Sequence, residues 1–182
     1  MKTTIRQSVF ETNSSSVHTI AIAKNATNLH IPKQISFYEH LDFGWEFDAY
    51  NDINTKFTYL INAIDESSWY SEDKKIQKER LDKYMSLLKI RLQELDVTVP
   101  QGLPEIIYDT KYHFWSLDGN LGGIDHGDEC REFIENVLND PIQFKNFLFD
   151  PKSQIITSND NCMEEDIPIP TDQEYIFYKK DN

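Results

Sequence analysis

The sequence predicts a single-domain α+β fold over residues 1–182, with an N-terminal β-hairpin, a mainly antiparallel sheet and four or so helices. Three observations carry this reading. β-Branched, alternating stretches sit at both ends of the chain, helical periodicity fills the middle, and no internal repeat or long linker divides the 182 residues. A chain near this size buries roughly 70% of the surface it exposes when unfolded, so it needs no disulfide scaffold to hold a core.

The hairpin is read from Thr3–Ala23, TTIRQSVFETNSSSVHTIAIA. Thr3, Ile5, Gln7 and Val9 share one face of the first strand, and Val17, Thr19, Ala21 and Ala23 alternate with His18, Ile20 and Ile22 on the second. Phe10–Ser16 connects them through residues whose side chains bond nearby backbone and favour turns. After the polar KNATNLH segment, Ile31 and Gln34–Tyr38 resume an extended pattern, with Pro32 at an edge or strand start. Between Glu39 and Asp52 five acids occur with no Lys or Arg, interleaved with Phe43, Trp45, Phe47 and Tyr50. This stretch reads as a half-buried strand or loop with a solvated outer face. Alternatively, Trp45 with Asp42, Glu46 and Asp48 anchors a basic protein partner.

Phe57, Leu60, Ile61 and Ile64 predict a helix over about Asp52–Asp65, broken by Ser67–Asp73. A longer helix follows over about Glu72–Leu95, with Lys74, Lys75, Lys78 and Arg80 as a solvated face at its start, and VTVPQGLP ends it. Ile106–Tyr108 and Tyr112–Leu117 read as strands. Asp118–Asp128 holds four of the six glycines and delivers Asp125 and His126 ahead of a helix opened by Glu129 and capped by Asp128. Pro141 opens a short helix to Phe149, and Ser153–Thr157 and Tyr175–Lys179 complete the strands.

Charge and cysteine usage narrow the function. Cys130 and Cys162 form no CxxC pair, no signal-like apolar segment opens the chain, and no apolar run approaches the ~20 residues of a membrane helix, which points to the cytoplasm. The net charge of −13 predicts weak or no binding to free nucleic acid. Residues 1–34 nevertheless carry four basic residues and one acidic, leaving −16 for the remainder.

That weakly basic segment holds the candidate chemistry. Arg6, Glu11, Asn13 and His18 supply a permanent cation, a carboxylate, an amide and a side chain that titrates near neutrality. Ser14, Ser15 and Ser16, with Lys2 and Lys24, are candidate RNA contacts. With His126 as a second proton-transfer group and Arg6 to stabilise a phosphorane, these are the parts of a metal-independent endoribonuclease. A serine hydrolase lacks its GxSxG elbow. A metal site from His18, Asp125, His126 and Asp128 lacks a recognised ligand spacing, so no metal and no cofactor are expected. Because the acidic remainder repels a long polyanion, any action on RNA should depend on a basic partner that holds the RNA in place.

The run Phe10–Ser16 followed by His18, FETNSSSVH, resembles a motif of small proteins from phages and mobile elements of Gram-positive bacteria, and Ile124–His126 resembles a second, shorter one. Some of these proteins resemble type II-A anti-CRISPR proteins, which inhibit Cas9. The resemblance covers about a tenth of the chain. It implies a Cas9 inhibitor acting in the host cytoplasm on Cas9 with bound guide RNA, by truncating the guide through the hairpin. The alternative is a non-enzymatic acidic decoy that blocks nucleic-acid binding.

Overall fold

In the computed structural model, residues 16–27, 29–44, 47–69, 71, 73–125, 130–159 and 174–179 are described. In chain order the elements are β1 (Ser16–Ala23), β2 (Asp48–Tyr50), α1 (Ile53–Trp69), α2 (Lys74–Glu94), β3 (Ile106–Asp109), β4 (Phe114–Leu117), α3 (Arg131–Asn139), α4 (Pro141–Phe149), β5 (Gln154–Asn159) and β6 (Tyr175–Lys179). The α+β class, the four helices and the antiparallel sheet agree with the sequence.

β2, β5, β1 and β6 form one antiparallel sheet in that order, and β3 and β4 form a separate hairpin. β1 is the strand predicted as the second arm of the N-terminal hairpin. The first arm, Thr3–Val9, lies outside the described residues. From Thr19 to Ala21 both edges of β1 are taken, by β5 and by β6. Its alternation does not separate a wet face from a dry one, since every residue from His18 to Ala23 is buried.

His18, Ile20 and Ile22 share one face of the sheet with Ile155, Thr157, Ile176 and Tyr178 by strand register. On this side Ile20, Ile22 and Ile155 join one core with Phe57, Leu60, Ile61 and Ile64 of α1, Phe133 and Ile134 of α3, and Phe144 and Phe147 of α4. Helix α1 is the centre of that core. It touches α2, α3, α4 and β4, and every residue from Thr55 to Ser68 is buried. Each large apolar side chain removed from water here contributes about 1.5–3 kcal/mol.

Several boundaries move, for local reasons. α1 runs three residues into the predicted break, to Trp69, with the Ser67 and Ser68 hydroxyls donating back to the carbonyls of Ile64 and Asp65 inside the helix. α3 spans Arg131–Asn139 with Cys130 before it and no side-chain cap bond, while the predicted start at Glu129 and cap at Asp128 lie outside the described residues. Gln34–Tyr38 forms no strand, only an isolated bridge between Gln34 and Thr98. α4 opens as predicted, with Pro141 in its first turn and Asp140 accepting from the N–H groups of Ile142 and Gln143.

Candidate functional site

The predicted histidine of the motif sits in the core. His18 is only 3% exposed, pairs across the ladder with Thr157, and lies with its ring centroid 6.2 Å from that of Tyr59 on α1. Tyr59 is itself enclosed by Phe43 at 4.9 Å and Phe133 at 6.0 Å, and its hydroxyl is 3.5 Å from Cys130 Sγ. Burial pushes the Tyr59 phenol well above its usual range, reinforced by Cys130 and Glu66, so it stays protonated. A histidine that takes a proton from RNA has to be reachable from solvent, and the burial of His18 corrects the catalytic expectation for it. An alternating strand looks half-exposed in sequence, but here it lies between two neighbours with α4 packed against it and Tyr59 of α1 beside His18.

The other nominated residues divide. Arg6, Glu11, Asn13, Ser14, Ser15, Lys2 and His126 lie outside the described residues, as do Trp45 and Glu46. Ser16 opens β1 opposite Asn159, and Lys24 is exposed with its backbone N–H donating to Glu174 O. Asp42 and Asp48 are exposed. No meeting of His18 with His126 is therefore on view. Among the described residues, no three His, Cys, Asp or Glu side chains are grouped to hold a metal ion.

The glycine-rich segment has a definite job. It runs alongside residues 40–44, with Phe43 bridging Ile124 and the backbone bonds Phe43 N–H to Gly123 O at 2.8 Å and Asp125 N–H to Phe43 O at 2.9 Å. At Gly122 a Cβ would fall 2.0 Å from Leu41 O, so only glycine fits. Asp42 Oδ1 accepts the Gly123 N–H at 2.7 Å, and Glu66 accepts that of Ile124. The segment is clamped by two carboxylates.

Charges buried on α1 went unnoticed in sequence. Asp65 accepts the Leu117 N–H, tying the helix to β4, and burial raises its carboxyl to about 7 against the opposing effect of that bond. Lys56 donates to Asp150 O at 2.8 Å and Ser153 O at 3.1 Å, holding the chain where α4 runs into β5. Burial lowers its ammonium to about 8, opposed by Asp150 and Asp52. Lys56 lines a cavity of about 940 Å³, walled by amides such as Asn25 and Asn54 and by Ile35, Phe149 and Tyr175. The available signal was charge density: α1 has three charged residues in 17, whereas α2 has ten in 21. A helix so sparsely charged is enclosed on all sides.

Exposed chemistry lies instead on the acidic stretch. Tyr38 is 46% exposed and Phe47 45%, with Glu39, Asp42 and Asp48 exposed around them, while Phe43 turns inward to the core. The stretch is held in place: the Tyr38 N–H donates to Thr58 Oγ1 at 2.9 Å, and Asn62 Nδ2 donates to Leu41 O at 3.0 Å. Two outward rings among carboxylates suit a cationic protein surface, which they can meet by charge and by ring–cation contact. No helix among the described residues is long and apolar enough to cross a membrane. Comparison with protein-family models, curated proteins and solved structures finds no match to the chain.

Proposed function

We propose that this protein is a non-enzymatic inhibitor that occupies a basic, nucleic-acid-binding surface of a partner in the bacterial cytoplasm. On the resemblance of its FETNSSSVH motif, that partner is type II-A Cas9. The observation that carries the binding reading is the exposure of Tyr38 and Phe47 among Glu39, Asp42 and Asp48 on a chain of net charge −13. An acidic surface of this kind competes with phosphates for Lys and Arg, and exposed aromatics supply the contact area that charge alone lacks. Burial of His18 beside Tyr59 favours occupancy over guide-RNA cleavage, because a general base has to come within hydrogen-bond reach of the hydroxyl it deprotonates.

The test is to incubate Cas9 and its guide RNA with the protein, then follow target-DNA binding and run the guide on a denaturing gel. The expected result is lost DNA binding with a full-length guide. A shortened guide would replace occupancy by cleavage, and unimpaired DNA binding would remove Cas9 as the partner.

A further inference from the structure

The β3–β4 hairpin carries a second exposed aromatic surface with no part in the proposed docking. Its two faces differ. On one, Tyr108 and Trp115 pair across the strands at 5.2 Å and are closed over by α2, with Lys74 Nζ 5.3 Å above the Tyr108 ring and Lys78 Nζ 5.4 Å above that of Trp115. On the other, Phe114 stands between Trp69 at 5.7 Å and Tyr112 at 6.3 Å, a row of three rings flanked by exposed Ile107. Trp69 is 46% exposed and Tyr112 62%.

The backbone that carries the row is pinned by hydrogen bonds. Asp109 Oδ1 accepts the N–H groups of Lys111 and Tyr112, and His113, at φ 61°, donates its N–H to Asp109 O at 2.8 Å. Ser68 Oγ at the end of α1 donates to Trp115 O at 3.0 Å, and the Trp115 N–H donates to Gln77 Oε1 of α2 at 3.1 Å. Rings carried on a pinned backbone, in contact with one another, lose less entropy when a ligand stacks on them than rings on a free loop.

We infer that this face is a stacking platform for the bases of a single-stranded nucleic acid. Successive bases stack on successive rings, a contact available to every base. Lys111 Nζ, 4.5 Å over the Tyr112 ring, stands at the end of the row where a phosphate would pass, while the carboxylate of Asp109 is engaged by the turn. Charge permits the approach here. Residues 65–83 and 105–118, which carry the three rings, hold six basic and nine acidic residues, so ten of the thirteen net negative charges lie elsewhere and would favour this end of the molecule for a polyanion.

The experiment titrates the full-length protein with fluorescein-labelled single-stranded oligo(U), reading anisotropy and tryptophan quenching at low and physiological salt. The expected result is weak binding with a shallow salt dependence, since stacking rather than counterion release supplies the affinity. Trp69→Ala and Tyr112→Ala should each weaken it by roughly tenfold, and Trp69→Phe should retain most of it. A duplex of the same length should bind less well. Both alanine variants should keep the circular dichroism of the parent. Absence of binding at low salt, binding unchanged in the double alanine variant, or equal binding of duplex would overturn the inference. Loss of Cas9 binding in that variant, with no oligo(U) binding by the parent, would assign the rings to a protein interface instead. Because free oligo(U) contains no Cas9, failure here leaves the docking proposal standing, and failure of docking leaves this one.

Discussion

The polar groups packed around α1 and the rings set on the surface make opposite uses of chemically capable residues. Around α1 the molecule gathers His18, Tyr59, Glu66, Asp65 and Lys56, a set that on residue type alone resembles an active site, and buries all of them. Three of them hold backbone: Asp65 holds Leu117, Glu66 holds Ile124, and Lys56 holds Asp150 and Ser153, while the Tyr59 hydroxyl meets Cys130 Sγ. At the surface Tyr38, Phe47, Trp69 and Tyr112 stay in water, where folding gains little from them. The contrast teaches that titratable side chains can serve as rivets, and that exposed aromatics are the better pointer to binding.

The largest expected effects come from breaking the buried side. Gly122→Ala drives a methyl into Leu41 O and should cost about 3 kcal/mol or more, read as a lowered denaturant midpoint. Lys56→Met leaves the carbonyls of Asp150 and Ser153 without their donor and should cost about 2–4 kcal/mol by the same measurement.

Asp65→Asn sharpens the comparison by pH. Folding raises the Asp65 carboxyl from 3.8 to about 7, so the folded state holds the proton more tightly than the unfolded state. The stability this contributes is complete below pH 4 and is lost as pH rises through about 7, up to an upper bound of about 4 kcal/mol. Asparagine can still accept the Leu117 N–H and does not ionise. The variant's stability should therefore change less between pH 5 and pH 8 than the parent's, in denaturation curves at the two pH values. Equal pH dependence would mean that Asp65 is not buried as described.

The smallest effects on stability belong to the exposed side. Tyr38→Ala and Phe47→Ala should each shift stability by less than about 0.5 kcal/mol, yet with Glu39→Lys and Asp48→Lys they should abolish partner binding in a pull-down of Cas9. Variants of wild-type binding strength would move the docking surface elsewhere.

The fold was legible to the extent that its pattern is local. The stripe Phe57, Leu60, Ile61, Ile64 located α1, Pro141 after Asp140 located the start of α4, and Tyr175–Lys179 is β6 as read. What escaped depends on contacts distant in sequence. Nothing near His18 reveals that β5 and β6, more than a hundred residues away, flank β1 on both sides. Glycines suited to unusual backbone conformations were visible at residues 118–128, but not that Gly122 is required by Leu41. In the acidic stretch the aromatic residues were visible but their directions were not: Phe43 points in and Phe47 out.

The central claim, that His18 serves the fold and the surface serves the function, is tested most directly by measuring stability and inhibition together on His18→Ala. Removing a buried ring packed against Tyr59 should lower stability by about 2 kcal/mol, while at a temperature where the variant is fully folded Cas9 inhibition should persist and the guide RNA should remain full length. A variant as stable as the parent that no longer inhibits would contradict the account and return His18 to the chemistry.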